Sequence, residues 1–311
     1  MTAASTTEHT APVFAIGGPT CAGKTELALA VARAVGGELV GADSMQVYRG
    51  MDIGTDTPCP EDLGGIAHHM LSIVVPDRPY DAAAFARDAD RAIADVAARG
   101  KRAILVGGTG LYIRVLLKGL HAAPGPEPEI RADIMDRAGR DGWPALHAEL
   151  QKLDPETAQR LHPNDGARLL RALEVVLQSG VPMSAWQASH GFAQVRYPFA
   201  LFGVDRDKEE IARRIEARVD RMLAGGFLDE VRALLAAGYA PALKPMQGLG
   251  YRRLCKHLDG KLTLEEARDK IAADTRRLAK RQRTWFRGEP ELRWLPPEPE
   301  ALADAARTFF G

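Results

Sequence analysis

Apolar runs and apolar periodicities divide the first 120 residues into alternating strands and helices. Val13-Phe14-Ala15-Ile16 is continuously apolar, as in a strand buried on both faces, and helical spacing follows from Glu26 to Val35. Glu38-Leu39-Val40-Gly41-Ala42 predicts a second strand ending at Asp43-Ser44, and Ala82 to Arg99 predicts a helix. Arg102 to Val106 is a further short strand that runs into Gly107-Gly108-Thr109-Gly110, with a helix from Leu111. This alternation predicts a parallel sheet with helices on both faces, whose sites lie beyond the carboxyl ends of the strands. Thr20, Asp43 and Thr109 all fall just past strand ends, so they are expected to meet in one crevice.

The pattern changes near Pro124-Gly125-Pro126. From Glu127 to Gln187 it shows helices and turns without a strand, and Phe199 to Val204 then restores an apolar strand ending in Asp205. Helices are predicted over Lys208 to Ala224, Leu228 to Ala237 and Leu264 to Phe286, then a strand over Leu292 to Leu295 and a terminal helix. The expected architecture is an α/β domain, a P-loop NTPase-like parallel sheet flanked by helices, made of residues 12–120 and 199–311. An all-helical insertion domain occupies 121–198.

Composition changes this picture little. The 311 residues are 46% hydrophobic and 26% charged with a formal net charge of zero, so any polyanion site must be a local patch. Three scattered cysteines, Cys21, Cys59 and Cys255, exclude a disulfide framework and a Cys-rich zinc site. Met1 to Pro12 lacks the basic flank and apolar centre of a signal peptide, and no apolar run is long enough to span a bilayer. A reducing cytoplasm and no membrane partner are expected.

The first candidate chemistry is Gly18-Pro19-Thr20-Cys21-Ala22-Gly23-Lys24-Thr25, a complete phosphate loop between a strand and a helix. Its amides and the helix N-terminus suit a diphosphate or longer polyphosphate, Lys24 adds a point charge, and the Thr25 hydroxyl suits Mg²⁺. The strand that should carry a hydrolase's magnesium-holding acid ends in glycines and threonine, which weakens the nucleotide-hydrolase reading. Asp43 does end a strand. It is either a turn-capping aspartate or a group that orients a hydroxyl or takes a proton from an amine. A small-molecule or nucleotide kinase and a nucleotide-switched RNA-binding protein therefore stay open. The second candidate is basic: eight Lys/Arg against Asp269 and Asp274 between 268 and 287. Arg276, Lys280, Arg283 and Arg287 share one helical face with Trp285 and Phe286 beside it, a pattern suited to a nucleic-acid backbone.

Together with Asp43-Ser44-Met45-Gln46-Val47-Tyr48-Arg49-Gly50-Met51-Asp52-Ile53-Gly54-Thr55, the phosphate loop resembles the opening of the bacterial tRNA dimethylallyltransferases. His68-His69, Gly107 to Tyr112, Arg168-Leu169-Leu170-Arg171-Ala172-Leu173-Glu174, Gly248-Leu249-Gly250-Tyr251-Arg252 and Lys280-Arg281-Gln282-Arg283-Thr284-Trp285-Phe286-Arg287 match later blocks in order. The resemblance covers about residues 12 to 295. It implies transfer of a dimethylallyl group from dimethylallyl diphosphate to the exocyclic amine of adenosine 37 of tRNA, by a monomer that grips the anticodon stem-loop partly through the insertion. Under it Gly18 to Thr25 hold the diphosphate, Thr25 holds Mg²⁺ and Asp43 is the base, with Lys24 and Thr109 also catalytic. Arg218 either reaches the diphosphate or closes a surface salt bridge. Asp43, Ser44, Met45, Gln46, Thr109, Arg131, Ala167, Arg168, Leu169, Leu170 and Arg171 are implied tRNA contacts, as are 247–252 (Gln247 to Arg252) and 280–287. Gln46 suits a bidentate contact to the adenine edge. Ala167 stands where the family often has glutamine, so that residue's contact is absent or replaced. His68-His69 is read as structural or substrate-positioning, since adjacent side chains diverge and no third metal ligand is evident.

Overall fold

The structure, a computed structural model, describes residues 10–120, 123–190 and 195–311; most of the Met1–Pro12 segment and residues 121–122 of the expected boundary lie outside the described residues. It falls into two compact units, Met1–Leu117 with Arg196–Gly311, and Lys118–Val195.

The first unit begins with β1 (Val13–Gly17), α1 (Lys24–Val35), β2 (Gly37–Gly41), the short α2 (Pro60–Leu63), β3 (His68–His69), α3 (Ala82–Ala98), β4 (Arg102–Gly107) and α4 (Gly110–Lys118). The second unit holds α5 (Pro128–Asp141), α6 (Trp143–Leu153), α7 (Pro155–Arg160), α8 (Gly166–Ser179) and α9 (Met183–His190). The first unit resumes with β5 (Phe199–Val204), α10 (Lys208–Ala224), α11 (Phe227–Ala236), α12 (Leu249–Leu258), α13 (Leu264–Arg287), β6 (Leu292–Leu295) and α14 (Pro299–Phe310). The strands form a six-stranded sheet in the order β3-β2-β4-β1-β5-β6. Every pairing is parallel.

The continuous apolar runs are explained by position. Val13, Phe14, Ala15 and Ile16 in the sheet's interior are all 0% exposed, and Phe14 stacks on Phe202 of β5 at 4.9 Å between ring centroids. Parallel pairing puts the ends of β1, β2, β4 and β5 at one edge, because register pairs Gly17 with both Gly107 and Gly203, and Gly41 with Val106. Gly18 lets β1 turn there: its φ is 147°, and a Cβ would lie 2.2 Å from the Val204 carbonyl oxygen.

The second unit has its own core of Ile134, Leu146, Leu150, Leu169 and Leu173. The buried Asp154 caps α7 by accepting the Thr157 N–H at 3.1 Å, and also accepts the Ser184 N–H at 3.0 Å. Among the described residues no helix is long and apolar enough to cross a membrane.

Candidate active site

The phosphate loop leaves β1, turns through Gly18 and Cys21, the latter at φ 63°, and enters α1 at Lys24. Side chains from distant parts of the unit hold it. The Thr20 N–H donates to Gln282 Oε1 at 2.8 Å, and Gln282 Nε2 donates to the Gly108 carbonyl at 2.9 Å. Arg206 Nε donates to the Ala22 carbonyl at 3.1 Å. Lys24 Nζ donates to the Pro19 carbonyl at 2.7 Å. Burial lowers the Lys24 pKa to about 8, and the Asp43 carboxylate opposes that fall.

Arg218, on α10, closes a salt bridge and also reaches the phosphate loop. Its Nη1 donates to Thr20 Oγ1 at 3.0 Å, its Nη2 donates to the Thr55 carbonyl at 3.1 Å, and Asp56 lies 3.4 Å away. It faces a cleft of about 600 Å³ lined also by Lys24, Thr25, Asp43 and Gln46. His68, one of whose two readings was substrate-positioning, lines the same cleft, as do Glu26, Arg214 and Arg221, which were not anticipated there. Arg214 and Arg221 share the Arg218 face of α10 at helical spacing, and that spacing was the available signal.

A second, smaller cavity of about 110 Å³ shares Thr20, Asp43, Thr55 and Arg218 with the cleft. Its remaining wall is largely apolar, with Val219, Met222, Phe227, Leu249, Ile271 and Leu278. Asp43 thus stands where a cationic compartment meets an apolar one. Its Oδ1 accepts the Met45 and Gln46 N–H groups at 2.8 and 3.4 Å, so it does cap the turn. Oδ2 has no hydrogen-bond partner among the described residues. Thr109 Oγ1 accepts the Ser44 N–H at 3.0 Å and fixes the segment after Asp43. Gln46 Nε2 donates to the Thr55 and Asp56 carbonyls at 3.2 and 3.1 Å. A bidentate contact to a base edge therefore requires it to release one of them.

The two histidines diverge. His69 Nε2 lies 2.7 Å from Glu38, which also binds Arg99, whereas both buried His68 nitrogens lack a partner among the described residues. Burial pushes the His68 pKa down to about 4, so its ring is neutral at pH 7. Among the described residues no group of three or more His, Cys, Asp or Glu could hold a metal ion. A metal at Thr25 would take its other oxygens from substrate and water, a mode that suits Mg²⁺.

The basic helix α13 divides into two faces. Gln282 turns inward, Trp285 lies under the Arg114 guanidinium at 4.5 Å, and Phe286 is 0% exposed in the core. Arg283 Nη2 donates to Asp205 at 2.7 Å, and Arg276 pairs with Glu216. Lys280, Arg281, Thr284 and Arg287 are exposed. The three cations among them form no ion pair with the described residues. Phe286 can therefore serve an RNA contact only indirectly. The missed signal was the i, i+4, i+7 row Leu278, Gln282, Trp285, which marks the inward face.

The other implied contacts are similarly divided. Gln247 Nε2 donates to the Pro241 carbonyl at 2.7 Å; Leu249, Gly250 and Tyr251 wall the apolar cavity; Arg252 reaches Asp274 at 3.1 Å. In the second unit Arg131 and Arg171 both bind Glu174, at 3.1 and 3.0 Å, and Arg171 also donates to the Pro124 carbonyl. Leu169 is 0% exposed, Leu170 is half-buried, and Ala167 and Arg168 are exposed.

Comparison with known proteins gives a consistent set. The family model described as IPP transferase matches residues 46–289. A tRNA dimethylallyltransferase of Geobacter sulfurreducens is 48% identical over 298 residues, covering 95% of this chain and 96% of the relative. One from Geobacter metallireducens is 50% identical over 295 residues, covering 94% and 96%. Among solved structures, the full-length tRNA isopentenylpyrophosphate transferase of Bacillus halodurans aligns with a TM-score of 0.71 at 33% identity, covering 96% of each chain. A eukaryotic dimethylallyltransferase acting on tRNA aligns with a TM-score of 0.78 at 26% identity, covering 96% of this chain and 77% of that one.

Proposed function

The chain belongs to the IPP transferase family, and from that membership and the cleft we propose that it transfers a dimethylallyl group from dimethylallyl diphosphate to the exocyclic amine of adenosine 37 in tRNA. The products are N6-dimethylallyladenosine and diphosphate, and the enzyme acts as a cytoplasmic monomer. The observation that carries this reading is the shared wall: a cationic cleft and an apolar cavity meet at Thr20, Asp43 and Arg218. An allylic diphosphate fits both, its anionic head on the loop and its short branched hydrocarbon among Val219, Met222 and Phe227.

In the reaction the allylic C–O bond breaks and the C–N bond forms, while the amine proton passes to Asp43 Oδ2. The loop amides, Lys24 and Arg218 stabilise the departing diphosphate. The apolar wall keeps water from the electron-deficient carbon. Thr25 is the residue that fits Mg²⁺, which when bound supplies further charge neutralisation on the diphosphate. The adenine must leave the anticodon-loop stack to reach the cleft. Incubation with labelled dimethylallyl diphosphate and unmodified tRNA, without ATP, should give Mg²⁺-dependent label in tRNA. ATP hydrolysis without any such label would overturn the reading in favour of a kinase-like enzyme.

Two properties follow from the charges. Only the protonated Lys24 attracts the anion, and burial sets its pKa at about 8. Affinity for dimethylallyl diphosphate should be flat near pH 7, fall as pH rises through 8, and level off once Lys24 is neutral at the loss that Lys24→Ala causes. Calorimetric titrations between pH 7 and pH 10 test this, and a pH-independent affinity contradicts it. On α13, Lys280→Ala and Arg287→Ala should each weaken binding of an anticodon stem-loop and reduce the slope of log affinity against log salt by about 0.7–0.9. Unchanged slopes in both would move the RNA contact off this face.

A further inference from the structure

The backbone of the segment Met51-Asp52-Ile53-Gly54-Thr55 is tied down beside the cleft by hydrogen bonds to side chains. The ties converge on one carboxylate, Glu230 of α11. Glu230 Oε2 accepts the Asp52 and Ile53 N–H groups at 2.8 and 2.7 Å. Oε1 accepts the Gly54 N–H at 3.0 Å and the Tyr251 hydroxyl at 2.6 Å. Four donors fill the acceptor capacity of a carboxylate. Gly54 is held so close to α11 that a Cβ would sit 2.1 Å from the Phe227 ring. Thr55 Oγ1 closes the turn by donating to the Met51 carbonyl at 2.6 Å.

What this anchored turn presents to the cleft is a pair of carbonyls. The Thr55 carbonyl accepts from Gln46 Nε2 at 3.2 Å and from Arg218 Nη2 at 3.1 Å, and the Asp56 carbonyl takes the second Gln46 hydrogen at 3.1 Å. One peptide oxygen thus holds both the amide that faces the base and the guanidinium that faces the diphosphate. We propose that Glu230 is a positioning residue that sets both substrate-facing groups, Gln46 and Arg218, by fixing the turn whose Thr55 carbonyl they share. Glu230 touches neither substrate and acts wholly through these two side chains. The assignment of the ligands rests on the function proposed above, but the mechanical link between Glu230, Arg218 and an anion in the cleft does not.

The test therefore uses inorganic diphosphate, whose binding needs no transfer activity. Glu230→Gln keeps the size of the side chain but turns an NH₂ group toward N–H donors and so disrupts the anchor. Diphosphate affinity should fall about 5–20-fold in an otherwise unaltered protein, and less than about twofold when Arg218→Ala is already present. Tyr251→Phe, which removes one donor and leaves the loop N–H bonds, should show the same pattern at smaller amplitude and guards against a Glu230 variant that does not fold. A Lys24→Ala background should keep the full Glu230→Gln effect, because Lys24 does not touch the turn. Equal losses with and without Arg218, or no loss in either variant, would overturn the proposal. If the wild-type protein binds diphosphate but never transfers a dimethylallyl group, the functional reading fails and the positioning role is still decided by these titrations.

Discussion

Asp43→Asn slows transfer in a single turnover about 10²–10⁴-fold while leaving the affinity for an unreactive diphosphate analogue close to that of the wild type. The expectation comes from how the two carboxylate oxygens are used. Oδ1 holds the turn through the Met45 and Gln46 N–H groups. An asparagine carbonyl accepts those same bonds, so the turn and Gln46 stay in place. Oδ2, the oxygen without a partner among the described residues, is the one replaced by an NH₂ that cannot take a proton. Adenine's amine is a weak nucleophile, and it gains full nucleophilicity only as its proton leaves. Asp43→Ala removes the cap as well, so it should lose tRNA affinity in addition to rate. A near-normal single-turnover rate for the asparagine variant, with analogue binding lost instead, would move Asp43 from proton acceptor to binding residue.

The second large effect belongs to the loop. Lys24→Ala and Thr25→Ala should each lower the single-turnover rate by about 10²–10³, with a smaller loss of ground-state affinity for dimethylallyl diphosphate. The diphosphate's charge on the bridging oxygen grows as the allylic bond breaks, so a cation fixed beside it stabilises the transition state more than the bound substrate. Lys24 is held in place for such a role: its ammonium, half-buried in the loop, is bonded to the Pro19 carbonyl at 2.7 Å. Rates within twofold of wild type in both variants would mean that the amides and Arg218 alone neutralise the leaving group. Lys24→Arg tests charge against shape, since a guanidinium in the same loop keeps the charge but loses the point-like fit.

The parts that sequence reasoning reached are those encoded within one element. β5 and α10 have the predicted limits because one is a clean apolar run and the other an amphipathic period between polar or proline-containing breaks, and the short β6 has them too. The His68–His69 strand is two residues long, too short for any period, and shows itself only by pairing with Leu39 and Val40. Leu249–Leu258 forms a helix where the sequence shows only a motif, because its Gly-Leu-Gly start argues against one locally. Within the site, the phosphate loop, Asp43 and Gln46 were legible since they lie in or just beyond strand-end turns. Gln282 was legible only as an implied RNA contact and not as a brace of the loop, because its partner Thr20 is 262 residues away and the surrounding charge pointed to RNA. Glu230 was invisible for the same reason: an acid in the first turn of a helix reads as a dipole partner, and only the fold brings the Asp52–Gly54 backbone to it.

Nucleoside mass analysis of tRNA from cells lacking the gene tests the central claim most directly. Dimethylallyladenosine and any derivative of it should vanish from the tRNA of these cells, return with a plasmid carrying the wild-type gene, and stay absent with the Asp43→Asn gene. Dimethylallyladenosine persisting at wild-type level in the cells without the gene would contradict the account.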